Sequence, residues 1–232
     1  MTVKNILARG GIEFIAVLMG ISLSLFLDNQ SEESSKKQNE INLLKDLRVS
    51  LLQDLDYARG IHQGIKKCTN SQKILMELNC IESKKIDEKE LGELIYFAGR
   101  GINSFFPRYG VYRSLVSNSE MKYIKSDSLK EKIINLYDFR FKRYENMDIV
   151  MENLYQYDFN LFLVENFSVN VLDSLDYVVE NYEFDSSSFC DGSLNKKIKY
   201  INGITVAIEN ALENIIESMV TVDSMIKEEI IL

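Results

Sequence analysis

The chain has 232 residues, 46% of them hydrophobic and 27% charged, which is enough apolar material for one sizeable domain and too much for a disordered tail. Its net charge of −8 argues against general binding to a phosphate backbone, which needs lysine and arginine to displace counterions. One histidine and three cysteines without a C-x-x-C pair leave no multi-histidine metal site, zinc ribbon or thioredoxin-type motif, so no catalytic, cofactor or metal residues are assigned.

The first predicted element is GGIEFIAVLMGISLSLFLDNQ, residues 10–30. Residues 1–11 form a flank with Lys4 and Arg9, and 12–27 form the predicted transmembrane helix, framed by Asp28, Asn29 and Gln30. As a helix, 12–27 spans about 24 Å, short against a hydrocarbon core of roughly 30 Å. A cleaved signal peptide ending near Ser22-Leu23-Ser24 and a buried core helix are the alternatives. Glu13 opens the segment four residues after Arg9, so an interfacial ion pair is one reading. The other starts from Ala16, Gly20 and Ser24, a small-xxx-small strip that Glu13 heads on nearly the same face. That strip is the expected membrane-helix packing face for self-association. Lys36 and Lys37 beyond the segment offset Lys4 and Arg9 before it. The charge rule leans only slightly towards a cytoplasmic N-terminus and an extracytoplasmic domain.

Residues 28–40 read as a juxtamembrane helix or linker, and 41–232 as a helical bundle domain. Leu44, Leu47, Leu51, Ala58, Ile61, Ile65, Cys68 and Leu75 fall at three-and-four spacing and predict a helix over about 36–80. Gly60 and Gly64 would weaken it and place any kink there. Asp87 with Glu90 predicts the N-terminus of a shorter helix, and GRGINSFFPRYG, which holds the only proline, is the clearest loop. Ser128 with Glu131 predicts a capping box for a helix over 128–166, whose aromatic stripe reads as core. A pocket among Tyr112, Tyr144 and Tyr155 is the competing interpretation.

Residues 168–193 lose the helical period, with a short helix expected at 172–179 and turns at 185–188 and 191–192. Ser193 is the expected cap of the last helix, 194–229. Ile208, Leu212, Ile215, Met219, Val222 and Ile226 alternate four and three and define its bundle packing face. His62 reads as structural or exposed. A disulfide among Cys68, Cys80 and Cys190 is open, as is a set of free thiols.

Two patches resemble a bacterial family of uncharacterised single-pass membrane proteins. The first is carried by Glu13, Gly20-Ile21, Leu25, Asn29 and Glu32, with Gln30 where that family tends to have tryptophan and Ser24 where it tends to have alanine. The second is carried by Phe105, Pro107, Tyr112, Leu115, Ser117, Ile124, Leu129, Leu136 and Tyr137. There Ser119 replaces a glycine suited to a left-handed turn. The resemblance implies an N-terminal anchor plus a helical domain and no known active site.

The expected fold is therefore all-α: an N-terminal transmembrane helix followed by an antiparallel multi-helix bundle with long helices. The expected role is a membrane-anchored, non-enzymatic interaction, scaffold or sensor-like module. Its expected partners are the lipid bilayer and a second copy or a membrane partner protein, and not nucleic acid. A ligand-binding sensor or enzyme with an aromatic pocket, or a subunit of a larger membrane complex, is the alternative.

Overall fold

The computed structural model describes the backbone of residues 3–101, 103–173, 178–184 and 187–231, and the side-chain surroundings of 17–101, 103–167 and 187–231. Helix α1, Val3–Glu77, is one unbroken helix of 75 residues, about 112 Å long at the usual rise. It runs through Gly60 and Gly64, which do not interrupt it. Every residue from 17 to 39 is exposed, and burial begins at Glu40 and Leu44. Residues 17–39 of α1 thus stand free of the bundle, and the upper half is its central post. Among the described residues, no helix is long and apolar enough to cross a membrane. Residues 12–16 of the predicted span lie outside the described side chains. The described part, 17–27, packs against nothing in the bundle interior, which removes the buried-core alternative for those residues.

Helix α9, Ser193–Ile231, lies antiparallel along the upper half of α1, because Asn195 reaches Met76, Asn202 reaches Gln72 and Asp223 reaches Arg48. Ile208, Leu212, Ile215, Met219, Val222 and Ile226 are all buried against this post, so the C-terminal helix leaves no uncovered stripe on that face. Residues Leu44, Leu47, Leu51, Ile65 and Leu75 supply the α1 side of the seam.

A third helical run completes the bundle. It comprises α5 (Asp127–Ile134), a π segment (Asn135–Phe141), α6 (Lys142–Leu154), a second π segment (Tyr155–Phe159) and α7 (Asn160–Asn166). The buried residues explain the wide turns. Leu129, Ile133, Tyr137 and Phe141 recur in consecutive four-residue steps, as do Met151, Tyr155, Phe159 and Leu163. Each such step drifts around an ordinary α-helix, and a π turn brings the next side chain back to the core.

Shorter elements close the ends. Helices α2 (Cys80–Ser83), α3 (Glu88–Ala98) and α4 (Gly110–Ser117) follow α1. Asp87 caps α3, its carboxylate accepting from Lys89 N–H at 3.1 Å. The cap of α5 is Ser126 and not Ser128: Ser126 has the extended backbone of a cap and accepts from Leu129 N–H, whereas Ser128 already lies inside the helix. At α9 the Gly192 carbonyl accepts from Lys196 and Asp191 accepts from Ser193, so Ser193 lies in the first turn and not at the cap.

The chain departs from all-α in one place. Strands β1 (Phe167–Asp173) and β2 (Val178–Phe184) pair antiparallel, Phe167 opposite Phe184, with register shifts after Val169 and Val171. This hairpin takes the place of the short helix expected at 172–179, of which 174–177 fall outside the described residues. Alternating Phe-Ser-Val-Asn-Val, with an aromatic or β-branched residue at every second position, favours a strand over a helix. Helix α8, Ser187–Cys190, then brings Cys190 to Cys80, and the two form a disulfide that ties the top of α1 to the start of α9.

Candidate functional site

Opposite-charge contacts hold α1 to its neighbours along its upper half. Asp54 is fully buried, and accepts from the backbone N–H of Arg108 at 2.9 Å and from its guanidinium at 2.8 Å. Asp223 accepts from Arg48 at 2.7 Å and from Lys227 at 2.6 Å. Glu40 accepts from Lys125 N–H. These contacts set the register of the post, and none of them leaves a charge free for chemistry.

At the centre of the bundle is a polar cluster. The Tyr155 hydroxyl, projected inward by the second π segment, lies 2.6 Å from Gln72 Nε2, 2.8 Å from Thr205 Oγ1 and 3.2 Å from Cys68 Sγ. Gln72 also donates to the Ala98 carbonyl and accepts from Asn202. The cluster therefore joins α1, α3, α9 and the π segment. Burial pushes the Cys68 thiol up to about 12, despite the Tyr155 hydrogen bond, so it stays protonated and unreactive. Burial likewise raises Tyr155 far above the usual phenol range. With neither a thiolate nor a general base, this cluster is a structural device.

The pocket considered among Tyr112, Tyr144 and Tyr155 does not form around a shared cavity. Tyr112 stacks on Tyr137 at 4.4 Å and donates to Asp138, whereas Tyr155 packs on Phe159 and belongs to the central cluster. The Tyr144 ring lies against Phe105, and its hydroxyl is buried with no hydrogen-bond partner. Tyr137 Oη and His62 Nε2 are the other buried side-chain atoms in that condition among the described residues.

A recess lies between α1 and the loop after α3. It is a cleft of about 570 Å³. Its floor is α1 at Gly60 and Gly64, one turn apart, flanked by Tyr57, Ile61, Gln63 and Lys67. A methyl group on Gly60 would meet nothing within 4 Å, and one on Gly64 would meet the Asn103 amide at 2.9 Å. The wall is Tyr96 and Phe97 of α3, then Arg100 and Asn103. The Arg100 guanidinium sits 4.7 Å from the centre of the Tyr96 ring, and Lys67 Nζ sits 5.7 Å from that of Phe97. Both cations are exposed, and neither is ion-paired among the described residues.

Sequence reasoning passed over this cleft. It read Gly60 and Gly64 only as weak points of a helix. Two glycines a turn apart on one face, followed by an arginine in a glycine-rich loop, were the available signal. Of the residues expected on the membrane-helix packing face, Gly20 has nothing within 4 Å and Ser24 is exposed. Glu13 and Ala16 lie outside the described side chains. Among the described residues, no group of three or more histidine, cysteine or acidic side chains is placed to hold a metal ion.

In comparisons with known proteins, no protein-family profile, no curated protein and no solved structure matches this chain.

Proposed function

We propose that this chain is a membrane-anchored, non-enzymatic helical module that self-associates and serves as an interaction, scaffold or sensor part. The observation that carries the proposal is the free stretch of α1: every residue from 17 to 39 is exposed, including Leu18, Ile21, Leu23, Leu25 and Phe26. Leaving such side chains in water costs about 25 cal/mol for each Å² of apolar surface, and lipid removes that cost. Phe14, Ile15 and Ala16, which precede them, extend the apolar run towards a span. The disulfide between Cys80 and Cys190 supports a bundle on the oxidising side of the membrane, with Lys4 and Arg9 on the other. Self-association is assigned to Glu13, Ala16, Gly20 and Ser24, because Gly20 leaves the helix surface open to close approach.

Cell fractionation tests the anchor. The full-length chain is expected in the alkaline-washed membrane pellet and released only by detergent. Recovery of the intact chain in the aqueous fraction without detergent overturns the anchor. A mass-tagging maleimide tests the side. In intact cells, Cys80 and Cys190 are expected to react only after an impermeant reductant, and Cys68 only after unfolding. Reaction of Cys80 and Cys190 without reductant, once cells are lysed, overturns the oxidising location. Gly20→Leu is expected to weaken crosslinking between copies in membranes, and unchanged crosslinking removes the self-association face.

A further inference from the structure

We infer that the cleft between α1 and the loop after α3 is a binding site for a small organic anion, a carboxylate on a compact apolar body. The inference gives the sensor reading a ligand class, but it rests on residues 57–103 alone and does not need the anchor.

Three observations converge on it. The first is charge. In a chain of net charge −8, Lys67 and Arg100 stand at one cleft with Asp56 as the single carboxylate on its lining, and neither cation forms an ion pair among the described residues. Each instead lies over an aromatic ring of α3. A guanidinium held in this way offers a fork of donors that matches a carboxylate.

The second is shape. The cleft volume of about 570 Å³ falls within the usual range for small-molecule sites. The floor is open at Gly60 and Gly64, which carry no side chain although alanine would serve a helix better at each position. At Gly64 an added methyl would displace the Asn103 amide, whereas at Gly60 it would meet nothing. The open space above Gly60 is therefore the part of the cleft that a ligand body would fill.

The third is the lining. Tyr57 and Phe97 supply apolar surface for that body, and the Gln63 and Asn103 amides supply neutral hydrogen-bonding groups beside the two cations. Tyr57 is itself fixed, its hydroxyl donating to the Ser104 carbonyl at 3.3 Å. A few polar groups set on an apolar wall is the composition of a ligand site, and the sign of its charge selects an anion.

The test uses the full-length chain in lipid nanodiscs and saturation-transfer NMR with benzoate as the probe and benzamide as its uncharged counterpart. Benzoate is expected to receive saturation, and benzamide to bind at least about tenfold more weakly. The double variant Lys67→Gln/Arg100→Gln is expected to lose about tenfold or more in benzoate affinity while keeping its melting temperature. Gly60→Phe is expected to fill the floor and abolish binding. Absence of benzoate binding at about 10 mM, corresponding to less than roughly 3 kcal/mol of affinity, overturns the inference. Equal binding of benzamide, or unchanged binding by the double variant, also overturns it. None of these results bears on the anchor, which is judged by fractionation alone.

Discussion

The hydroxyl of Tyr155 occupies the space that a side chain on Gly101 would need: a methyl group there would overlap Tyr155 Oη and Cζ. The requirement at Gly101 is this close approach, since its backbone is not in the left-handed region. Gly101→Ala is therefore expected to destabilise the bundle by about 1–3 kcal/mol, the range for overpacking a filled core. Tyr155→Phe alone is expected to cost about 1–3 kcal/mol by leaving Gln72 and Thr205 without their shared partner. The two changes act on one contact, so the double variant should lose less than the sum. Urea denaturation of all three variants checks this, and strict additivity would contradict it.

Ser119 is the one non-glycine residue with positive φ among the described residues, at φ 58° and ψ 28°. A left-handed turn, which glycine would adopt without steric cost, is thus made here by serine. A side chain in that region costs roughly 1–2 kcal/mol, offset in part by the greater freedom of glycine in the unfolded chain. Ser119→Gly is expected to raise stability by about 0.5–1 kcal/mol, read as a higher melting temperature. A lower melting temperature would refute it.

Stability should depend on pH with an unusual sign. Asp54 and Asp148 are both held above the ordinary value of 3.8, burial being the chief cause in each. Hydrogen bonds from Arg108 oppose the rise at Asp54, and one from Ser104 opposes it at Asp148. Between 3.8 and the raised value the folded chain binds more protons than the unfolded one, so these two groups make stability fall as pH rises through that window. Asp138 and Asp223 act in the opposite sense. Asp138 is lowered mainly by the Tyr112 hydrogen bond; at Asp223 burial works against the charge, but Lys227 and Arg48 outweigh it. The stability these two contribute is present above 3.8 and lost as pH falls through their lowered values. The urea midpoint is expected to peak near pH 3.8, and Asp148→Asn to lessen the fall just above it. A midpoint that climbs steadily from mildly acidic to neutral pH would exclude this balance.

Reduction of the Cys80–Cys190 bond opens a loop of 110 residues. By the chain-entropy argument this should cost about 2–5 kcal/mol. Calorimetry of Cys80→Ser/Cys190→Ser against the parent chain measures it, and an unchanged melting temperature would contradict it.

The long elements were legible because burial leaves a period in the sequence. Ile208, Leu212, Ile215, Met219, Val222 and Ile226 alternate four and three, and all of them are buried. The features that were misread depend on competition between neighbours or on distant partners. Ser126 and Ser128 both suit a cap, and only the point at which the backbone turns extended decides between them. The hairpin was missed because two short strands carry little pattern, and the π segments because four-residue steps look like ordinary helix. The cleft joins Gly60 to Arg100 across 40 positions, and no local pattern reports such a meeting.

The Cys80–Cys190 bond also changes how the chain finds its fold. By backbone alone, α1 and α9 are separated by everything from α2 to α8, a slow search for so distant a pairing. Across the sulfur bridge, α1 is joined to α9 by a few residues on either side, which makes the pair a covalent helical hairpin. An oxidised chain can therefore zip its two longest helices together as nearest neighbours, with the intervening residues closing on a preassembled spine.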